Sequence, residues 1–368
     1  MKKQIHLIAA TRPNFIKLSP LIRSLKNKDW CNYTIIHTGQ HYDDNMSQIF
    51  FDDLEIPKPD VNLNIGSGTH AEQTGKTMIE YEKLLLKDKP NISIVFGDVN
   101  ATLACALAAK KLHIPVGHVE AGLRSGDMKM PEEINRILTD HISDILWTTS
   151  KKAIKTLHEE GVNSQNIHFA GDIMLDNIKN LNDKISNRNT HHKYIEGDDY
   201  CVVTLHRPQN VDIKNNLIKI IELFKRISKE ITMIFAIHPR TENSLKKHEL
   251  WDEITSISNL YLTPPQGYID FMSLIYHSKF IITDSGGIQS ETTFLNIPCI
   301  TLRDSAEKPQ TITKGTNVLA ESDEVVNHVK SILNNKWKDK KEIEGWDGDT
   351  AKRIVTTLNK FLINSNLT

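Results

Sequence analysis

Short apolar runs alternate along the chain with longer segments whose apolar side chains have helical spacing. Several of the runs are almost continuously apolar, which is typical of strands covered on both faces of a sheet. Alternation of this kind predicts βαβ units and a parallel sheet. In the first half of the chain it predicts a helix at 101–112 and strands at 5–10, 34–39, 92–98, 115–120 and 145–150.

The same rhythm begins again after a polar interval. Residues 180–199 contain few large apolar side chains, so we expect a linker in or just before this interval. A chain of 368 residues also exceeds what one hydrophobic core usually fills. The sequence therefore predicts an α/β fold with two Rossmann-like, doubly wound domains that face a central cleft. The strands of the second domain are predicted at 200–206, 231–238, 260–264, 280–284 and 299–302.

Composition and charge exclude several classes of function. Apolar residues make up 39% of the chain and charged residues 25%, as in ordinary globular proteins. The formal net charge of −1 gives no reason to expect a nucleic-acid or membrane partner. No apolar run reaches the roughly 18 residues of a membrane span. The apolar part of the N-terminal stretch is only about six residues long and contains His6, so we expect a first strand rather than a signal peptide.

The cysteines and histidines do not have the spacing of a metal site. No CxxC pair, HExxH motif or tight His/Asp cluster occurs, so the sequence predicts no bound metal. Widely separated cysteines also argue against a disulfide framework and favour a reducing, cytoplasmic location. The four are Cys31, Cys105, Cys201 and Cys299.

Polar and charged side chains follow the predicted strands, at the edge where parallel sheets bind ligands. Residues 11–17 follow the first strand, Asp98 ends the third, and Glu120 ends the fourth. Six such strand ends that point to one cleft predict a ligand site. The corresponding residues of the second half are His206, His238 and Ser285-Gly286-Gly287.

Two of these motifs suit an anionic ligand. At Ser285-Gly286-Gly287, the missing Cβ atoms allow backbone N–H groups to approach a ligand, and a helix start favours an anion. A plain strand-to-helix turn uses the same residue types. Arg12 and Lys17 flank Pro13 and could hold a diphosphate, but a solvated helix start explains them as well.

Other strand ends suit acid–base chemistry. Glu120 ends an apolar run and is predicted to be partly buried, where a carboxylate needs a partner or a raised pKa. The segment 131–133, a proline followed by two glutamates, is typical of a helix start, and the helix dipole explains its second glutamate. A lone histidine is usually structural, but His206 is followed by an arginine and a proline, and His238 is followed by a proline and an arginine. We therefore expect both histidines to line the cleft.

Eight stretches of the chain together resemble the non-hydrolysing UDP-N-acetylglucosamine 2-epimerases of bacteria and archaea. The resemblance extends over nearly the whole chain and implies a GT-B-like fold, as in glycogen phosphorylase. It implies an N-terminal Rossmann-like domain at 1–175, a UDP-binding domain at 176–349, and a C-terminal segment, 350–368, whose helix returns to the first domain. It also implies a homodimer. The eight stretches are TRPNFIK, TGQHYDDNMSQIFF, GDVNATLACALAA, GHVEAGLRSGDMKMPEEINR, TLHRPQN, HPRT, TDSGGIQSE and LRDSAEKPQTITKGTN.

Members of this family convert UDP-GlcNAc to UDP-ManNAc for cell-surface polysaccharide synthesis. They remove the C2 proton, expel UDP to give 2-acetamidoglucal, and return both groups with C2 inverted, and they need no cofactor. The resemblance implies catalytic roles for Asp98, Glu120, Glu132 and His206. It implies that Glu291 contacts ribose, that Phe271 lies near uracil, and that the turn at 285–287 holds the diphosphate. The full set of implied binding residues is Arg12, Lys17, Arg136, His238, Arg240, Phe271, Ser285, Gly286, Gly287 and Glu291.

These residue types suit that reaction. The C2 proton lies beside an acetal and is weakly acidic, so a positioned carboxylate must remove it while the departing diphosphate is stabilised. Epimerisation also requires proton exchange on both faces of C2, for which three carboxylates and a histidine are sufficient.

The chain departs from the family pattern at several positions. Asn14 and Ser290 stand where most members have glutamate. Many bacterial members are activated by substrate at a second site that contains a QHR motif and a downstream arginine. Here residues 40–43 read Gln-His-Tyr-Asp and Thr69 stands near the position of that arginine. We therefore expect no such activation.

Four other functions are compatible with parts of this pattern. A hydrolysing 2-epimerase, which releases ManNAc and UDP, shares the fold but typically reads GDR where this chain reads GDV. Epimerisation of a related UDP-hexosamine, such as UDP-GalNAc or a diacetamido uronic acid, is an alternative function. A GT-B glycosyltransferase would need an acceptor site, which no motif indicates. A silent nucleotide-sugar sensor would have lost acid–base residues that are present here.

Overall fold

Two parallel β-sheets form the framework of the chain in the computed structural model, which describes residues 2–39, 44–197, 199–306 and 308–364. Helices alternate with the strands, so the predicted α/β fold is confirmed. The strands are β1 (Lys3–Ala9), β2 (Cys31–His37), β3 (Val61–Asn62), β4 (Ile92–Phe96), β5 (Val116–Ala121), β6 (Ile145–Thr148), β7 (Ile167–Phe169), β8 (Tyr200–Thr204), β9 (Thr232–Ala236), β10 (Leu260–Thr263), β11 (Phe280–Thr283), β12 (Cys299–Thr301) and β13 (Asn317–Leu319).

The helices connect successive strands in both sheets. They are α1 (Arg12–Leu25), α2 (Asp44–Asp53), α3 (His70–Lys87), α4 (Asn100–Lys111), α5 (Pro131–Ile142), α6 (Lys151–Glu159), α7 (Met174–Asn180), α8 (Asn182–Ser186), α9 (Pro208–Val211), α10 (Lys214–Ile227), α11 (Pro239–Lys247), α12 (Trp251–Thr255), α13 (Tyr268–His277), α14 (Gly286–Leu295), α15 (Gln310–Thr313), α16 (Ser322–Leu333) and α17 (Thr350–Asn364). Short 3₁₀ turns occupy Ser164–Asn166 and Thr190–Lys193.

The first sheet has the strand order β3-β2-β1-β4-β5-β6-β7. Its strands pair in parallel; Leu7 of β1, for example, lies opposite Ile35 of β2 and Ile94 of β4. Every residue of β4 is buried. Burial of successive side chains, which point to opposite faces, requires cover on both faces and explains the nearly continuous apolar sequence of this strand.

The second sheet has the strand order β10-β9-β8-β11-β12-β13, again with parallel pairing. All four residues of β11 are buried. One large hydrophobic cluster packs beside this sheet and includes Phe224, Phe235 and Phe280. The rings of Phe224 and Phe235 meet edge to face, with their centroids 5.5 Å apart.

Local sequence fixes the helix starts that matter for function. Helix α5 begins with a proline, whose missing N–H is not needed in the first turn, and the next two residues are glutamates that complement the helix dipole. Helix α14 begins after Ser285 as its N-cap residue and ends at Asn296, whose φ of 60° is the left-handed conformation that terminates helices.

The chain divides into two compact units. One contains the residues up to Asn180 together with those from Glu344 onward, and the other contains Leu181–Ile343. The boundaries expected from the sequence are 175/176 and 349/350, whereas the compact units divide at 180/181 and 343/344. Helix α7 continues past residue 175 within the first unit because it packs against α1, as α17 also does.

The two units divide between Asn180 and Leu181, within the region in or just before 180–199 where a linker is expected, but most of that interval belongs to the second unit. Helix α8 and the 3₁₀ turn at Thr190–Lys193 fall within it, and both contact α13 of the second unit. Ile185 and His191 are buried there. A few well-placed side chains thus anchor an interval whose overall composition is polar.

Strand positions were predicted better than strand lengths. Most predicted strands end one or two residues late, because the polar residues at their ends leave the ladder. Three strands at or near sheet edges, β3, β7 and β13, were missed, and each has at most three residues. None of the helices in the described part of the chain combines the length and apolar character needed to cross a bilayer.

Candidate active site

The candidate residues form two groups, one in each compact unit, and each group is described by itself. Because the strands are parallel, the residues that follow them lie at one edge of each sheet. The group in the first unit consists of Arg12, Lys17, Asp98, Glu120, Glu132 and Arg136. The group in the second unit consists of His206, His238, Arg240, Phe271, Ser285, Gly286, Gly287 and Glu291.

Lys17 and Glu120 form an ion pair at the edge of the first sheet. Only 11% and 12% of their side chains are exposed, so water screens the pair weakly. The loop after β4 lies against the pair: a Cβ atom on Gly97 would come within 3.1 Å of Lys17 Nζ and 3.8 Å of Glu120 Oε2. The glycine at this position therefore leaves room for the ammonium group.

The backbone of Glu120 is unusual. Its φ of 77° lies in the left-handed region, which a residue with a side chain seldom occupies. The pairing of β5 with β6 shifts register between Val119 and Ala121, as at a β-bulge. A bulge redirects the side chain that it contains, and bulges often occur beside active sites. The backbone of Glu120 is therefore locally strained, and this conformation sets the direction of its carboxylate.

Asp98, two residues after β4, pairs with Arg136 of α5 at 2.5 Å. Arg136 also lies 3.2 Å from Glu133, one turn earlier in the helix. Burial raises the pKa of Asp98, and the nearby Glu120 carboxylate adds to this effect, whereas Arg136 and Lys17 oppose it. A carboxyl group with a raised pKa holds a proton more readily than an ordinary aspartate, which suits a role in proton transfer.

Glu133 was not predicted as a site residue, and the structure assigns it a supporting position. Its side chain is buried and accepts hydrogen bonds from the backbone N–H groups of Ser125 and Gly126. Glu132, the predicted catalytic residue, is half-buried in the same first turn. Glu132 and Arg136 are four residues apart and share one side of α5.

Helix α1 contributes the remaining residues of the first group. The Arg12 guanidinium lies 4.8 Å from the centroid of the Phe50 ring, a cation–π arrangement. Asn14, which departs from the family pattern, is buried and accepts hydrogen bonds from Ala10 N and Thr11 N. Its amide donates to Phe96 O, which ties the start of α1 to the end of β4. A glutamate could not make this last bond, because a carboxylate has no donor.

In the second unit, His206 is held by Asp284, a fully buried residue just after β11. Asp284 accepts hydrogen bonds from the backbone N–H groups of His206 and Arg207, and its carboxylate lies 3.1 Å from His206 Nδ1. Burial would raise the pKa of Asp284, but the bonds from His206 and Asn210 outweigh it and lower the pKa. Asp284 was not predicted, although a carboxylate directly after an apolar run is the same signal that indicated Glu120.

His238 and Arg240 lie at the start of α11. The His238 ring centroid is 5.4 Å from that of His206, and its Nδ1 accepts a hydrogen bond from Arg240 N. The Arg240 guanidinium makes two hydrogen bonds with Asp212, at 2.9 and 2.6 Å. His206 and His238 are therefore adjacent, while Arg240 already has an acidic partner.

The first turn of α14 follows β11 directly. Gly286 and Gly287 are its first two residues, where backbone N–H groups have no partner within the helix. Glu291 lies one turn later and is 94% buried. Burial raises the pKa of Tyr268 on α13, and the Glu291 carboxylate contributes to this rise. Phe271 is half-buried on the same helix α13. The backbone N–H groups at the start of α14 are able to bind an anion, and Glu291 is able to contact a polar ring of the same ligand.

Two features bear on metals and on a second site. Among the described residues, no group of three or more His, Cys, Asp or Glu side chains could hold a metal ion. Thr69 is the N-cap of α3 and forms a capping box with Glu72. Residues 40–43, the other part of the predicted departure, lie outside the described residues.

The chain is similar to known proteins along nearly its whole length. The sequence model of a family described as UDP-N-acetylglucosamine 2-epimerase matches residues 23–359. A UDP-N-acetylglucosamine 2-epimerase of Methanocaldococcus jannaschii is 46% identical over 367 residues, which cover 96% of this chain and 98% of that protein. The UDP-2,3-diacetamido-2,3-dideoxy-D-glucuronate 2-epimerase of Pseudomonas aeruginosa is 39% identical over 363 residues, 97% of this chain and 100% of that protein.

The fold also matches a solved structure along almost its whole length. The crystal structure of the Methanocaldococcus jannaschii UDP-GlcNAc 2-epimerase in complex with UDP-GlcNAc and UDP has a TM-score of 0.84 and 44% identity to this chain. The match covers 97% of this chain and 99% of that one.

Proposed function

The chain belongs to the UDP-N-acetylglucosamine 2-epimerase family, and from this premise we propose that it converts UDP-GlcNAc to UDP-ManNAc without net hydrolysis. A base removes the proton from C2 while the C1–O bond breaks and UDP leaves with the bonding electrons, giving 2-acetamidoglucal. UDP then returns to C1 and a proton returns to the opposite face of C2. The observation that carries the proposal is the presence of two partly buried ion pairs, Lys17–Glu120 and Asp98–Arg136, at one edge of the first sheet.

The first unit supports the proton-transfer steps. Removal and return of the C2 proton on opposite faces require two groups, and Asp98, Glu120 and Glu132 are all at the same sheet edge. Their environments differ, because desolvation raises the pKa of Asp98, whereas Glu120 pairs with Lys17. Carboxyl groups with different proton affinities are suited to opposite acid and base roles.

The second unit supports the departure of UDP. The first turn of α14 offers free backbone N–H groups and the positive end of the helix dipole for a diphosphate. His206 is held through Asp284 at the neighbouring strand end, where it could donate to the leaving group or to the diphosphate. We propose that Glu291 binds the ribose hydroxyls and that Phe271 lies near the uracil.

The decisive experiment is proton NMR of the purified protein with UDP-GlcNAc in D₂O. We expect UDP-ManNAc to accumulate with solvent deuterium at C2 of both sugars. Free ManNAc and UDP as the sole products would place the chain with hydrolysing 2-epimerases. Absence of C2 exchange with every UDP-hexosamine offered would support a nucleotide-sugar sensor instead. The Glu120→Gln protein, purified in the same way, is the control for contaminating epimerase.

A second candidate is epimerisation of a UDP-2,3-diacetamido uronic acid. The similarity to the Pseudomonas aeruginosa 2-epimerase, 39% over 97% of this chain, favours it as the alternative. Side-by-side kcat/KM values for the two nucleotide sugars discriminate between them. A higher value for the diacetamido uronic acid would replace UDP-GlcNAc as the proposed substrate.

We also propose that the enzyme is a homodimer. Met130, the N-cap residue of α5, and Ile134 and Leu138 within the helix recur every four residues, and between 38% and 47% of each is exposed. They form an apolar stripe that a second copy could cover. Sedimentation velocity should then give twice the 41.9 kDa of one chain, and a 41.9 kDa species at micromolar concentration would contradict it. The cytoplasmic location expected from the cysteines stays a prediction.

A further inference from the structure

A buried hydrogen-bond network in the first unit touches every segment that carries a candidate carboxylate. Its centre is His118 of β5, which is fully buried. Nε2 of His118 donates to Gly97 O at 2.7 Å, because a carbonyl oxygen can only accept. Nδ1 lies 2.7 Å from Asp140 Oδ1 on α5. Both ring nitrogens are therefore used, and no part of the ring faces solvent.

Asp140 connects the histidine to the loop after β5. Its second oxygen accepts hydrogen bonds from Gly122 N at 3.0 Å and from the Arg124 guanidinium at 2.7 Å. Arg124 is itself held by two bonds to Glu160, at 2.8 and 2.6 Å. Burial would raise the pKa of Asp140, but His118 and Arg124 outweigh it and lower the pKa. The network is thus fully partnered and anchored outside the candidate site.

The two ends of this network lie next to the residues that the proposed chemistry requires. Gly97 precedes Asp98, and its own N–H donates to Val119 O at 3.1 Å, so both sides of Gly97 are held by β5. Gly122 lies two residues after the strained Glu120. The distance between the Asp98 and Glu120 backbones is therefore set by the Gly97–Val119 backbone bond together with the side-chain bonds of His118 and Asp140.

We propose that His118 is a positioning residue, whose Nε2 bond to Gly97 O fixes the Asp98 peptide relative to Glu120 and whose bond to Asp140 fixes the ring. The proposal rests on the proposed 2-epimerase function for its kinetic consequences. Two carboxylates that serve one carbon must be held to within a fraction of an ångström, and a displacement of about 1 Å is enough to cost roughly 10²-fold in rate. A backbone carbonyl held by a rigid, buried ring meets this requirement.

Two conservative variants separate the two bonds of the ring. In His118→Asn the side-chain amide replaces Nδ1 and keeps a partner for Asp140, but it does not reach Gly97. In His118→Gln the amide nitrogen replaces Nε2 and keeps the bond to Gly97, while the direct contact with Asp140 is lost. We expect kcat to fall about 10²-fold in the Asn variant with KM changed less than about threefold, and to stay within about tenfold of wild type in the Gln variant.

A purely structural histidine would behave differently. Activity would then follow thermal stability, and the Gln variant, which leaves the buried Asp140 with fewer partners, would be at least as impaired as the Asn variant. His6→Asn is the matched control, because His6 is also a buried strand histidine whose ring nitrogens contact Tyr81 and Asp88, away from the candidate residues. This control should lose stability while keeping its turnover per folded molecule.

A structural readout makes the test independent of turnover. Crystal structures of wild type and His118→Asn should show the Gly97–Asp98 peptide displaced relative to Glu120, with Gly122 still bonded to Asp140. An unmoved peptide, or full turnover in the Asn variant, would overturn the proposal. If the wild-type protein epimerises no nucleotide sugar, the proposed function fails, and the position of the peptide still decides the role of His118.

Discussion

At the scale of single residues, Glu120 combines several energetically unfavourable features of the candidate site. It has a positive φ, it lies at a register shift between β5 and β6, and its carboxylate is paired with a largely buried lysine. A non-glycine residue in the left-handed region costs about 1–3 kcal/mol, and such strain persists where the surrounding structure enforces it. Asp140 and Lys17 supply that enforcement from either side. We infer that the strain places the carboxylate.

Substitution of Glu120 tests this inference directly. Glu120→Gln keeps the shape of the side chain but removes the charge that accepts a proton, so we expect kcat to fall by at least about 10²-fold. His206→Ala should cause a similar loss, because it removes the imidazole that Asp284 orients. Steady-state kinetics and circular dichroism of the variants are the measurements. Glu80→Gln, at an exposed pair with Lys83, is the matched control and should be silent.

Near-normal turnover in either variant would show that the roles carried over from the family are wrong. A loss of folding in Glu120→Gln would instead mean that the Lys17 pair is needed for stability. Lys17→Met combined with Glu120→Gln then restores a neutral pair and separates the two effects, because it leaves no buried charge without a partner.

Sequence patterns indicated the position of Glu120 but not its conformation. A carboxylate at the end of an apolar run is visible in the sequence, and so is the loop at Asp98. The positive φ is not, because it depends on how β6 pairs with β5. Asp284 and His118 were missed for a related reason. The sequence does not distinguish a polar site residue within or after a buried strand from an ordinary residue of the sheet, because its hydrogen-bond partners come from distant segments.

At the scale of secondary-structure elements, the start of α17 is capped from another helix. Asp176 of α7 accepts hydrogen bonds from Thr350 N at 3.1 Å and Ala351 N at 2.7 Å. Burial raises the pKa of Asp176 to about 6, and the bonds from Ala351 and Thr350 oppose this only in part. The carboxylate that caps the helix therefore also carries a desolvation cost at neutral pH.

Removal of this cap should loosen α17. Asp176→Ala deprives two buried N–H groups of their acceptor, and loss of a helix cap typically costs about 1 kcal/mol. We expect hydrogen exchange of the α17 amides to accelerate roughly fivefold, the factor that corresponds to 1 kcal/mol. Ser150→Ala, which removes the cap of α6, is the matched control and should accelerate exchange in α6 only. Unchanged exchange in α17 would show that its packing on α1 is sufficient.

The same residue predicts a pH dependence with a definite sign. The pKa of Asp176 in the folded state, about 6, lies above the ordinary 3.8. Stability is therefore lost as the pH rises from 3.8 through 6, and the full cost of burying the charge is present above pH 6. Asp176→Asn has no charge to bury. At equal pH, wild type should therefore lose protection in α17 relative to this variant as the pH rises from 5 to 7.5. A constant difference between the two proteins would contradict the shifted pKa.

Elements were predicted from periodicity where they are long and buried. The strands β4 and β11, buried throughout, were found, whereas β3 and β13 were not, because two or three residues give no periodic signal. The same limit explains why α8 was not predicted. Five residues with one buried isoleucine do not differ in composition from a loop, and only contact with α13 shows their role.

At the scale of the whole molecule, the chain passes from the first unit into the second and returns. The first unit contains the carboxylates of the proposed proton transfers, and the second contains the helix start and the histidine proposed to assist UDP departure. Neither unit alone has the complete set of candidate residues. Activation by substrate at a second site is the form of regulation that the departures from the family pattern argue against.

We predict that this enzyme needs no activation by its own substrate. A second nucleotide-sugar site requires cations for a second diphosphate, and Thr69 offers none. Instead its hydroxyl and backbone N–H both donate to the Glu72 carboxylate, at 3.1 and 2.9 Å, so the charge held beside Thr69 is negative and would repel a diphosphate. The reaction started from pure UDP-ManNAc should therefore proceed at once, with the forward reaction from UDP-GlcNAc as the control for active enzyme. A lag in the progress curve that trace UDP-GlcNAc abolishes would show that cations from other segments complete such a site.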